Sequence, residues 1–483
     1  MKHNHHSGPA AQNRSSVRYP WLRLAFAIGV LVTIIAVLRP SHHGPPVSTA
    51  TSTEGMRVGG ASGSSAGSGT PSLRGGSRAG PTLSAEEIVA SKVGQFGRRR
   101  REFVQAIARR SGQPLPPEIE RFFDAVEAGQ WDEIKAQWDV LARRSGQYDY
   151  STNHWPELDA FWPAVLDAYG VAEQAHLWPA QKLLDYGNAI LDSLRPGMVY
   201  VGGTDNGRWI PELLNETGGA EPHIIVTQNA LADARYLDFV NSLYGDRMMA
   251  LTPEDSQAAF QQYAADAQRR LEHDQQHPDE PKQVLPGEDI RLVDGKAQVS
   301  GMASVMAINA ILLQTMMAKN PDLSFAIEES FPFKGTYADA LPLGPLMELG
   351  ARSQQDGFTA DRAAQSLQYW QTAAQEVMAD SEAANSPEVL KSYSHDTVAA
   401  ANLLAAHNYT GEAEQAYRLA TQLWPENPES VSGLADLFVA AGRPDDARQL
   451  LQDFAQKYPG EQKDLERISA SWHLVVGSQP AAH

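Results

Sequence analysis

Cysteine is absent from all 483 residues. That absence excludes disulfides, zinc-thiolate and iron–sulfur ligation, a thiol nucleophile and a lipidated cysteine, so any membrane attachment must come from the peptide itself. The local signatures of common chemistries are missing too. There is no Gly-x-x-x-x-Gly-Lys phosphate loop, no His-Glu-x-x-His zinc helix, no Gly-x-Ser-x-Gly elbow and no EF-hand ligand ladder. No cofactor and no metal site is therefore expected. Carboxylates outnumber bases, 58 Asp+Glu against 40 Lys+Arg. The imbalance is uneven: residues 1–110 carry a net +11, so with −18 overall the remainder sums to −29. A body that acidic argues against a nucleic-acid partner.

One long apolar run is present. Leu24 to Leu38 is uncharged, and with Trp21, Leu22 and a snorkelling Arg23 the span reaches 18 residues, enough for a bilayer. Lys2, Arg14, Arg18 and Arg23 lie on its N-terminal side, so the positive-inside rule predicts a cytoplasmic N-terminus and a single-pass inner-membrane protein with a periplasmic or otherwise extracytoplasmic body. A cleaved signal peptide is the alternative, but no small-x-small site lies just after Leu38, and Ser48-Thr49-Ala50 is too distant. The histidines His3, His5, His6, His42 and His43 flanking the span read as polar tail. Residues 40–83, rich in Ser, Gly, Thr, Ala and Pro, read as a disordered tether with a reach on the order of 35–40 Å.

The body reads as α-rich. A capping box at Ser84–Glu87 opens a helix carrying Arg98 to Arg101, a face for an anionic membrane surface or one solvated on a helix packed against the body. Residues 116–144 read as a helical hairpin broken at Gly129, with helices following at 158–169 and 179–194. Short β runs then appear at Met198–Val201 and His223–Thr227, with further strands expected at 248–251 and 323–327 and helices at 211–215 and 231–243. Alternation of strands and helices predicts a small α/β sheet of parallel units. A polar stretch, 277–301, reads as a long excursion with a hairpin turn at Asp294-Gly295. The expected divisions are an anchor (1–39), a linker (40–83), a helical region (84–195), an α/β domain (196–350) and a helical repeat domain (357–480).

The repeat rests on spacing. Ala413, Tyr417, Ala420 and Pro425 recur 34 residues later as Ala447, Leu451, Phe454 and Pro459. Ala400, Ala401 and Leu404 likewise recur as Leu434, Ala435 and Phe438. Residues 394–461 thus resemble the tetratricopeptide repeat, although Thr397 and Val431 stand where that family has tryptophan. The resemblance implies paired helices that close on a small residue and bind a protein or peptide partner. Flanking helices at 359–380 and 465–476 are expected to complete the stack.

The candidate ligand edge is Gly202 to Trp209, where a strand ends and a helix begins. Free amides there favour an anion, and Arg208 adds charge; a plain turn capped by Asp205 or Asn206 is the simpler reading. This loop, with Val226 to Asn229 and Tyr236, resembles the soluble extracytoplasmic part of bacterial protein O-mannosyltransferase-like membrane proteins, over residues 196–330. Gly203, Asp205 and Asn206 match a Gly-Asp-Asn-Asp strand end, with Thr204 inserted and Gly207 in place of the second aspartate. The multi-spanning transferase region is missing, so glycosyl transfer is not carried over. The whole chain is also similar to bacterial proteins that combine an anchor, such an α/β region and terminal repeats.

Two readings follow. The first is a membrane-anchored extracytoplasmic scaffold whose repeats bind a protein or peptide. The second is an accessory enzyme or ligand-binding α/β domain, linked to glycan or cell-envelope processes, using Asp205, Asn206, Arg208 and Asn229. Whether the loop is a ligand edge or only a turn, Arg208→Ala should leave stability nearly unchanged. Acidic and histidine clusters at 273–280 and at Glu328-Glu329 are further ligand candidates in a chain where such clusters arise by composition alone.

Overall fold

The computed structural model describes residues 83–146, 154–219, 221–280, 282–284, 288–293, 296–328, 337–350 and 357–471. The Trp21–Leu38 span, the tether up to residue 82, the turn at Asp294-Gly295, Glu329 and the end of the expected 465–476 helix lie outside them. Among the described residues no helix is long and apolar enough to cross a membrane. From Ala85 onward the described residues belong to one compact unit.

The first helix, α1 (Ala85–Ser111), begins where the Ser84–Glu87 spacing places it. Val89, Val93, Phe96 and Val104 are buried along α1, so this helix packs into the body. Of its arginine run, Arg98 and Arg99 are exposed, Arg101 pairs with Glu120, Asp124 and Glu127, and Arg100 is buried. The hairpin follows as α2 (Pro117–Glu127) and α3 (Trp131–Arg144). Then come α4 (Trp162–Leu177) and α5 (Ala180–Ser193), close to the expected spans.

The sheet has five strands in the order β2-β1-β5-β7-β6. β1 (Val199–Gly202) lies parallel to β2 (Ile224–Thr227) on one side and to β5 (Phe325–Ile327) on the other. All three are wholly buried, as strands covered on both faces must be. β6 (Leu341–Leu343) and β7 (Leu346–Leu349) add an antiparallel edge, so the sheet is mixed. The expected strand at 248–251 does not form. The Asn320 side chain instead takes both polar groups of Met249, accepting from its N–H at 2.7 Å and donating to its carbonyl at 2.9 Å.

The helix after β1 is longer than periodicity suggested, α6 (Asp205–Glu216), whereas α7 (Ala234–Tyr244) after β2 starts three residues later than expected. α8 (Pro253–Gln276) and α9 (Met302–Lys319) flank the antiparallel pair β3 (Asp289–Val293) and β4 (Lys296–Ser300). One apolar cluster runs from Val89 through the sheet to Leu423, crossing the expected boundaries near 195 and 350.

The C-terminal helices are α10 (Ala360–Ala379), α11 (Ser381–Ala384), α12 (Pro387–Ala406), α13 (Thr410–Leu423), α14 (Pro428–Ala440), α15 (Pro444–Lys457) and α16 (Gln462–Ser471). Ala413, Ala420 and Ala447 are buried in one apolar cluster with Tyr417, Leu451 and Phe454. Gly433 shows how tight the stack is: a Cβ there would lie 2.4 Å from the Tyr417 ring. Pro425 and Pro459 are exposed just past the ends of α13 and α15, where proline stops a helix without breaking it.

The turns repeat as well. Asn408 (φ 64°) and Gly442 (φ 75°) are both left-handed and 34 residues apart. The residue after each donates back into the preceding helix, Tyr409 to Leu404 at 2.9 Å and Arg443 to Phe438 at 2.7 Å. Gly129 (φ 65°) closes the α2–α3 hairpin in the same way, with Gln130 donating to Ala125 at 3.0 Å.

Candidate functional site

The loop after β1 is built around one carboxylate. Glu328, just past β5, accepts from the Gly203 N–H at 3.0 Å, the Thr204 N–H at 3.2 Å and the Thr204 hydroxyl at 2.6 Å. The anion favoured by the free amides of this helix start is thus the protein's own. Parallel pairing of β1 with β5 delivers it there, since both strands end at the same edge. Gly207 completes the cradle: a Cβ at this position would lie 1.8 Å from Glu328 Oε2.

The cap of α6 is Thr204, not the expected Asp205 or Asn206; its hydroxyl accepts from the Gly207 N–H at 2.9 Å. Pro211 lies inside α6 and has no N–H for the Gly207 carbonyl four residues back. The Tyr200 hydroxyl donates to that carbonyl instead.

Each candidate ligand residue now has a place. Asn206 donates to the Tyr186 hydroxyl at 3.1 Å. Asn229 arrives from β2 at the same edge and donates to the Gly203 carbonyl, while its Oδ1 is buried with no hydrogen-bond partner among the described residues. Asp205 is half-buried at the first position of α6. Burial pushes its carboxyl up to about 6, against the pull of Arg208 and with the repulsion of Glu328.

Arg208 differs from expectation. It turns away from the loop and donates to Asp167 of α4, a side chain with no exposure, and stands 3.8 Å from Glu212. Arg100 of α1 closes the same cluster, at 3.4 Å from Asp167, 2.8 Å from Glu212 and 2.6 Å from Glu216. Two guanidiniums meet three carboxylates here, and burial and the neighbouring Asp167 push the Glu212 carboxyl up. Removing Arg208 leaves buried charge uncompensated, so near-neutral loss of this side chain no longer follows.

Residues without any local signal complete the site. The Tyr186 hydroxyl of α5 lies 3.2 Å from Glu328 and 3.0 Å from Asp396 of α12, partners 142 and 210 residues away in sequence. Glu173 of α4 is 3% exposed, and its Oε1 has no hydrogen-bond partner among the described residues. Burial pushes its carboxyl up to about 8, against a hydrogen bond from Tyr169 and with Asp205 adding repulsion. The 273–280 cluster is locally paired: Asp274 accepts from the Gln283 N–H at 2.7 Å and the Val284 N–H at 3.0 Å, and His273 faces Glu280 at 3.3 Å. No group of three metal-ligating side chains is present among the described residues.

The repeat's first helix is enclosed. α12 buries eleven residues, and Asn402 donates to the Tyr337 hydroxyl at 3.4 Å while His407 Nε2 meets the Tyr337 carbonyl at 2.8 Å. α14 keeps an exposed apolar residue, Val439, at 41%.

Residues 399–467 match the tetratricopeptide repeat family. No curated protein matches the chain, and no solved structure does. The comparisons give no support to the mannosyltransferase-like resemblance of residues 196–330.

Proposed function

We propose that this protein is a membrane-anchored scaffold whose repeat region holds a protein partner on the extracytoplasmic side. The repeat pair carries the reading: its spacing, its buried small residues and its left-handed turns coincide with the residues matched to a family of protein-binding repeats. The anchor and its orientation rest on the apolar span and its basic N-terminal flank. Because α12 is enclosed by the body, the partner surface lies on α14 and α15.

Photo-crosslinking tests this directly. A crosslinker placed at Val439 or Arg448 should capture one partner from membranes, and the same group at Lys135 on α3 should not. Equal capture from all three positions, or none, would remove the repeat as the binding surface.

A second reading has its own observation. Asn229 Oδ1 and Asp205 bring polar capacity to the carboxyl edge of the parallel strands beyond what the fold consumes. A sugar, nucleotide or peptidoglycan fragment that shifts the melting temperature of the wild type, but not of Asp205→Ala, would establish a ligand edge there.

A further inference from the structure

A cleft of about 590 Å³ opens between α5 and α10. Its walls lie outside residues 399–467, so it is a site separate from the matched repeat. Tyr369 and Tyr393, both half-buried, line it together with Lys182, Asp185, Glu376 and Asp380.

The charges do not balance. Lys182 is already held, 3.0 Å from Asp185 and 2.9 Å from Asp380. Asp380 is committed twice over, since it also caps α11 by accepting from the N–H groups of Glu382 and Ala383. Glu376, one turn earlier on α10, is exposed and has no ion-pair partner among the described residues. The cleft thus presents a spare carboxylate together with two tyrosines, and three carboxylates share it with one ammonium. Burial raises the Tyr369 phenol to about 12, with the negative field of Asp396 and Glu376 adding to it.

An aromatic face beside a carboxylate is what a guanidinium recognises: the ring attracts the cation and the oxygens accept its fork of N–H groups. The protein uses this partnership internally. Arg270 pairs with Glu288 at 2.7 Å and Asp266 at 2.8 Å, with its guanidinium 5.9 Å from the Tyr263 ring. The cleft offers the same set without the arginine. An anionic ligand would meet net repulsion, and the volume admits a short peptide segment rather than one isolated group.

We propose that this cleft binds an arginine-bearing segment of a partner protein, the guanidinium seated at Glu376 between Tyr369 and Tyr393. The inference draws on the scaffold reading only for the partner's class. The crosslinking at Val439 and the experiment below therefore fail independently.

A fluorescein-labelled tetra-arginine peptide is titrated into the full-length chain and followed by anisotropy, with tetra-glutamine as the neutral probe. Tetra-arginine should bind, and Glu376→Gln and Tyr369→Leu should each weaken it, Glu376→Gln by about tenfold, at unchanged melting temperature. Asp453→Asn, an exposed carboxylate on α15, should leave the affinity as it was. Equal weakening by Glu376→Gln and Asp453→Asn would mean diffuse attraction to an acidic surface and overturn the site. So would equal binding of tetra-glutamine, or no binding at all. Tighter binding after replacing Arg57, Arg74 and Arg78 together by Gln would identify the chain's own basic segment as the occupant, and would overturn the assignment to a partner.

Discussion

The Tyr186 hydroxyl lies 3.0 Å from Asp396 Oδ2, joining α5 to the first repeat helix, and 3.2 Å from Glu328 Oε1 at the end of β5. Asn206 donates to the same oxygen at 3.1 Å. One phenol has one proton, so it serves both carboxyl groups only if the second contact carries a proton of its own. An amide in place of Asp396 supplies that donor. We expect Asp396→Asn to stay within about 1 kcal/mol of the wild type, and Tyr186→Phe to lose about 1–3 kcal/mol in denaturant unfolding. Equal losses would reject the shared-proton arrangement.

Arg208 belongs to the buried ion cluster of Arg100, Asp167 and Glu212. Arg208→Ala should cost about 3–5 kcal/mol, because the buried carboxylates are then left with Arg100 as their one cation. Adding Asp167→Asn should restore part of the loss. A double variant less stable than Arg208→Ala would show that the pair is not coupled in this way.

Overpacking tests the repeat. Ala413 and Ala447 sit at corresponding helix contacts with 0% and 2% exposure. A leucine at either should cost about 1–3 kcal/mol in thermal or chemical unfolding. An unchanged melting temperature in both variants would count against close helix contact at these positions.

The turns give a finer measure. Asn408 and Gly442 adopt the same left-handed conformation, which costs an asparagine more than a glycine. Asn408→Gly should stabilise the fold by up to about 1 kcal/mol, and Gly442→Ala should destabilise it by about 1 kcal/mol. Opposite signs in the unfolding free energies are the signature to look for.

Glu173 predicts a pH dependence. Burial first, and Asp205 and Glu388 after it, hold its carboxyl at about 8 against an ordinary 4.5, with Tyr169 and Lys135 opposing. The folded protein keeps a proton that the unfolded chain releases. Its contribution to stability is full below pH 4.5, falls through the window and is lost above about pH 8. The slope from this one group is at most about 1.4 kcal/mol per pH unit. Glu173→Gln fixes the neutral form, so it should flatten the fall and be the more stable protein at alkaline pH. Parallel stability curves for variant and wild type would rule this out.

Much of the architecture was legible because local pattern carries it. A 34-residue period marks Ala413 and Ala447, the Ser84–Glu87 pattern precedes α1, and short apolar runs announce β1 and β2. The same patterns say nothing of partners brought together from distant segments. Asn320 decides that residues 248–251 form no strand, and β5 carries Glu328 into the loop whose amides the sequence left open. For Arg208, charge and position were readable, but direction was not, since Asp167 lies on another helix. By itself the sequence determined the basic N-terminal flank, the apolar span, the acidic body and the repeat. Tertiary structure decided which polar groups are consumed by the fold, at Glu328 and Arg208, and which are left to meet something else, at Asn229 Oδ1 and Glu376. Burial and pairing depend on what the chain places opposite a side chain, and periodicity along the chain does not encode that.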